Sequence, residues 1–173
     1  MKRRQAIRHI AIATAAAYLL PACHSEPTAA GPEYANIPLQ ADQRLLLEQF
    51  TEAILPKANT EIQPPETATD FVLTVLNDCS PPEDIHKYMA GLTELQSRVE
   101  QQYKTDFGAL PTAQQAEVFA WLAGTDGLPE PLIFFYEKTR GLAIEHFTTS
   151  EYFLKNVAQW EFAPGRFVGC ATV

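Results

Sequence analysis

Basic residues are scarce in this 173-residue chain, and four of the thirteen, Lys2, Arg3, Arg4 and Arg8, fall within the first nine positions. From residue 23 onward, nine basic side chains face 21 acidic ones, a net charge of −12. Such a body repels phosphate backbones, which excludes nucleic-acid binding. Cysteine is limited to three residues, Cys23, Cys79 and Cys170, with no closely spaced pair, and Cys23-His24 lacks the second cysteine of a haem-attachment motif. The four histidines show no metal-ligand spacing, so His86 and His146 read as helix-surface or partly buried side chains. No Gly-x-Gly-x-x-Gly or Walker-type loop is present to cradle a nucleotide phosphate, and no serine sits in a glycine-flanked elbow. The acidic neighbours Asp78, Glu83 and Asp84 have a sufficient structural role at helix ends. Long apolar runs are also missing. Ile10 to Leu20 is the longest, eleven residues, whereas a membrane-spanning helix takes about 20. No repeat of about 20–50 residues marks a solenoid.

What is present is a globular composition, 46% hydrophobic and 20% charged, in front of which stands a leader. Residues 1–9 are basic, the apolar run follows, and Leu20-Pro21-Ala22-Cys23 closes it, the pattern of an export signal. Arg3-Arg4-Gln5-Ala6-Ile7-Arg8 resembles the twin-arginine signal carried by proteins that cross a membrane already folded. An ordinary secretory signal is the alternative. Leu20-Pro21-Ala22-Cys23 also resembles a bacterial lipobox, whose cysteine becomes the acylated first residue. Lipidation of Cys23 would anchor the chain stably, since each buried methylene contributes about 0.8 kcal/mol. Pro27, Gly31, Pro32 and Pro38 mark residues 23–40 as a tether.

Past the tether the hydrophobic spacing is helical throughout. Leu46, Leu47, Phe50, Ala53 and Ile54 predict a helix from Ala41 to Leu55, stopped by Pro56. A polar loop over 57–65 follows, then a helix from Glu66 to Asp78 with Phe71, Val72, Val75 and Leu76 on one stripe. Ser80-Pro81-Pro82-Glu83 reads as a capping box opening a helix of close to 20 residues, to about Tyr103, striped by Ile85, Tyr88, Met89, Leu92, Leu95 and Val99. Thr112 with Gln115 predicts a second box and a helix ending near Gly124, after which Asp126-Gly127 turns the chain. Pro131 to His146 is the most apolar stretch of the body and is expected to be the central buried helix. Thr148-x-x-Glu151 suggests a short helix through Val157, and residues 158–173 suit an extended arm. The fold class is therefore all-α, a single compact bundle of about five to six helices with an extended C-terminal arm. The domains are an export signal at 1–22, the tether at 23–40 and the helical domain at 41–173.

Two features of the body point to interactions. Cys79 and Cys170 are disulfide candidates in an oxidising compartment, where a bond between them would close a loop of about 90 residues and stabilise by a few kcal/mol. Cys170 paired with a partner chain, or both free, are the alternatives. Trp160, Phe162, Arg166 and Phe167, around Pro164-Gly165, concentrate residue types that anchor interfaces, so they are partner-interface candidates unless they close the domain's own core.

A set of short motifs occurs in a definite order. Leu45 to Pro56 ends in Ile-Leu-Pro, Asp70-Phe71 leads to Asn77-Asp78-Cys79, then come Ala90-Gly91-Leu92, Phe147-Thr148-Thr149-Ser150-Glu151, and Pro164-Gly165-Arg166-Phe167 with Gly169-Cys170. Over about residues 42–171 the chain resembles the gluconate 2-dehydrogenase subunit 3 family. The loop after Pro56, Lys57-Ala58-Asn59-Thr60-Glu61, departs from the family's usual threonine, proline and glycine. The resemblance implies a non-catalytic small subunit with no cofactor of its own. It would bind, stabilise and co-export a flavin-dependent, glucose-methanol-choline type sugar or polyol dehydrogenase whose large subunit holds FAD, with electrons passing to a cytochrome c subunit. The implied location is the periplasm or cell envelope, membrane-anchored. A stand-alone helical lipoprotein serving another envelope partner is the alternative.

Overall fold

The computed structural model describes residues 34–55, 66–161 and 165. Six α-helices and one 3-10 turn account for most of them, and no strand occurs among the described residues. The helices are α1 (Ala41–Ile54), α2 (Ala68–Cys79), α3 (Pro82–Tyr103), α4 (Thr112–Gly124), α5 (Glu130–Thr149) and α6 (Glu151–Asn156), with the 3-10 turn Phe107–Ala109 between α3 and α4. The all-α bundle expected from the hydrophobic period is the fold observed.

The core forms where the helical stripes meet. Phe50 of α1 is fully buried and its ring lies 5.3 Å from Phe107, 4.9 Å from Phe119 and 5.5 Å from Phe135, joining α1 to the 3-10 turn, α4 and α5. Tyr88 of α3 stacks at 4.9 Å on Phe135 and shares a 2.7 Å hydrogen bond with Thr139, which keeps both buried hydroxyls partnered. Burial pushes the Tyr88 phenol up from its ordinary pKa, so it stays neutral. Thr51 and Thr69 make the same kind of buried link, 2.8 Å, between α1 and α2.

α3 and α5 pack with their backbones unusually close, and Gly91 is the reason. A Cβ built there would sit 2.1 Å from the Pro131 carbonyl oxygen and 2.6 Å from the Phe135 Cβ. Only glycine permits that approach. α5 is central, as expected, but buries one face instead of its whole circumference: Leu132, Phe135, Tyr136, Thr139, Leu142 and Ala143 are buried while Ile144 is 42% exposed.

Helix starts differ from the expected capping boxes. Ser80 does not cap α3. It closes α2, its hydroxyl donating weakly to the Val75 carbonyl at 3.5 Å, and α3 begins with Pro81 at the N-cap and Pro82 at the first helical position. Each proline forces the residue before it into extended backbone, so one serine serves as exit and spacer. Thr112 likewise lies inside α4 behind Pro111, and Gln115 donates to the Phe107 carbonyl of the 3-10 turn at 3.4 Å. At the last junction the cap is Ser150, whose hydroxyl accepts from the Phe153 amide, and Thr148 stays in α5 with its hydroxyl on the Ile144 carbonyl. The Asp126-Gly127 turn forms as expected, with Gly127 at φ 71°.

Residues 34–40, the end of the expected tether, lie on the helical body. Ile37 is buried in the core, and Tyr34 and Leu39 pack against it.

Candidate partner interface

Asp70 organises the meeting of α1, α2 and the residues before α1. As the third residue of α2 its amide donates to the Thr67 N-cap oxygen at 3.0 Å, and its carboxylate accepts from the Thr67 hydroxyl at 2.8 Å. The same carboxylate takes the Arg44 guanidinium of α1 at 2.7 Å and the Tyr34 hydroxyl at 3.1 Å. Burial alone would push the Asp70 pKa up. The hydrogen bonds from Thr67, Arg44 and Tyr34 and the Arg44 charge outweigh it and hold the group below the ordinary aspartate range. Arg44 also pairs with Glu48 at 3.1 Å. Asn36 completes the strap: its amide donates to Asn77 Oδ1 at 2.9 Å and its carboxamide to the Asn77 carbonyl at 3.0 Å. These hydrogen bonds and the Arg44–Asp70 ion pair fix residues 34–40 across α1 and α2.

α6 follows directly on α5 and packs against its last turn. Phe147 and Phe153 meet edge to face at 5.5 Å, and the Trp160 amide donates to the Leu154 carbonyl at 2.7 Å, folding the chain back over the short helix. The result is an apolar platform whose outer members, Val157 and Trp160, are 56% and 53% exposed. Exposed large apolar side chains grouped this way mark interaction surfaces. Trp160, singled out from the sequence, thus lies on this platform. Val157 and Ile144 were not singled out, and the period-breaking apolar residue at each was the signal available.

The other expected site residues distribute as follows. Cys79 is exposed at the last position of α2, and no disulfide occurs among the described residues. Arg3, Arg4, Cys23, Phe162, Arg166, Phe167 and Cys170 lie outside the described residues, as does the polar loop before Glu66. His86 is exposed, and His146 is half-buried against Phe71, its Nε2 3.0 Å from the Glu66 carbonyl. Among the described residues no group of three or more His, Cys, Asp or Glu side chains is placed to hold a metal ion. No described helix is long and apolar enough to cross a membrane.

The model of the gluconate 2-dehydrogenase subunit 3 family matches residues 41–165, from the first residue of α1 to beyond α6. The chain belongs to this family. Its motifs now have places: Gly91 of Ala90-Gly91-Leu92 is the contact point of α3 and α5, Asp70 is the hub of the strap, and Ser150 caps α6. Comparison with curated proteins and with solved structures returns no match. As a family member the chain is a subunit of a dehydrogenase.

Proposed function

We propose that this subunit is non-catalytic and binds, stabilises and co-exports a flavin-dependent dehydrogenase of the glucose-methanol-choline type, acting on a sugar or polyol. The observation that carries the proposal is the family match across the whole helical body. FAD belongs to the large subunit, and electrons pass on to a cytochrome c subunit. Arg3 and Arg4 direct the folded pair to the twin-arginine route, and Cys23 anchors it at the envelope as a lipoprotein. The platform around Val157 and Trp160 supplies an apolar docking surface on a body whose charge is otherwise acidic.

The test is co-expression with the large subunit followed by cell fractionation. With Arg3→Lys and Arg4→Lys together, both proteins stay in the cytoplasm. Export of the large subunit unaffected by that pair of substitutions removes the carrier role.

A further inference from the structure

Between α1 and the C-terminal part of α3, with the 3-10 turn as its third wall, lies a cleft of about 360 Å3. The turn is held by Phe107, which is buried with its ring 5.3 Å from Phe50 of α1, and this leaves the small residues Gly108 and Ala109 in the wall. A side chain at Gly108 has no room, since a Cβ there would sit 2.1 Å from Gln49 Cδ. The Gln49 carboxamide therefore lies against the backbone of the turn, and it has no hydrogen-bond partner among the described residues. The rest of the lining has two chemistries. Leu46, Val99 and Phe107 make an apolar floor, and Leu45 carries it to the surface, 53% exposed. Asp42, Glu100 and Asp106 supply carboxylates, and no basic side chain lines the cleft. Asp42 accepts from Gln96 at 3.3 Å, whereas the side chains of Glu100 and Asp106 enter no ion pair or hydrogen bond among the described residues. Lys104 stands between those two in sequence, yet it pairs with neither and does not line the cleft.

Resting on the accessory role proposed above, we infer that this cleft receives a basic side chain of the dehydrogenase partner, its aliphatic stem against Leu45, Leu46 and Val99 and its charged head among Asp42, Glu100 and Asp106. Charge complementarity argues for this occupant. An anion is repelled by every charge in the wall. A metal ion needs ligands that converge, and among the described residues no three acidic side chains are placed to hold one. A purely apolar side chain would strip water from carboxylates that have no other partner, which costs free energy. A second copy of this chain would bring its own net charge of −12 to an acidic wall. Lysine and arginine join an apolar stem to a cationic head, so one such side chain matches the floor and the rim together. The Gln49 carboxamide, able to donate and to accept, is left to meet a peptide group beside that side chain.

The test uses the full chain and the flavoprotein large subunit. Glu100→Gln and Asp106→Asn together are expected to weaken the complex about three- to ten-fold at low salt and to flatten the dependence of its affinity on salt. The melting temperature of the isolated chain stays the same, because neither side chain has a partner to lose. Leu45→Ala, which trims the exposed edge of the floor, is expected to weaken the complex at low and high salt alike. Unchanged affinity in either variant overturns the inference. So does a lower melting temperature of the doubly substituted chain, which would make the two carboxylates structural. The comparison is Glu52→Gln with Glu137→Gln, exposed acids that do not line the cleft, and these should leave the affinity within about two-fold. An equal loss from both pairs would assign the effect to the overall charge of the body and overturn the role of the cleft. If the unaltered chain forms no complex at all, the accessory role fails and this inference with it. A normal complex indifferent to Leu45, Glu100 and Asp106 removes this inference alone.

Discussion

At the residue scale, Asp70 and Gly91 carry more than their neighbours. Asp70 gathers donors from 26 and 36 positions away, Arg44 and Tyr34, so nothing local in the sequence announces it beyond an acid in a helix's first turn. Replacing Asp70 with Asn is expected to cost about 2 kcal/mol near neutral pH, the worth of charge-assisted hydrogen bonds at a partly buried site. Because the folded-state pKa of Asp70 is lowered, its contribution is complete above the ordinary aspartate range and disappears as pH falls through the lowered value. Thermal melts of both chains from neutral to strongly acid pH check this: the gap should close below about pH 4, and a gap constant with pH contradicts it. Gly91 makes the opposite demand, since any side chain there strikes the Pro131 carbonyl. Gly91→Ala should destabilise by about 2 kcal/mol despite alanine's better helix propensity. Gly141, also helical, has nothing within 4 Å of its would-be Cβ, so Gly141→Ala should stabilise by about 0.5–1 kcal/mol. Urea titrations of the two variants should therefore move in opposite directions.

At the element scale, hydrophobic period located the helices to within a few residues, because Leu46, Leu47 and Phe50 on α1, or Tyr88, Leu92 and Leu95 on α3, do face the core. The starts were less legible. A capping pattern describes one helix at a time, whereas Ser80 and Ser150 each stand at the junction of two, and the end of the first helix decides the role left for the serine. The docked strap was illegible for a related reason. Asn36 and Ile37 sit among prolines and glycines that signal a linker, and only the partners Asn77 and the core reveal otherwise. The cap at Ser150 gives an element-level prediction. Ser150→Ala removes the acceptor for the Phe153 amide and should weaken α6 by about 1 kcal/mol. Hydrogen exchange should then quicken in α6 while α1, α3 and α5 keep their protection. Uniform loss across the bundle would show that α6 is integral to the core and not a platform mounted on α5.

At the scale of the whole molecule, the fold class and the family were both legible, the first from helical spacing and the second from the order of motifs from Leu45 to Gly165. The surface was less so: Trp160 stood out by residue type, whereas the exposure of Val157 and Ile144 shows only once α5 and α6 are placed. The molecule that results is an acidic helical body with exposed Val157 and Trp160 around α6 and a strap of residues 34–40 fixed across α1 and α2. The most direct measurement of its role is size-exclusion chromatography of the chain co-expressed with the flavoprotein large subunit, read by mass and flavin absorbance together. An accessory subunit gives a stable complex of the two chains in which all the flavin travels with the large subunit, and a colourless protein when this chain is purified alone. Separate elution of the two chains, or flavin bound to this one, contradicts the account.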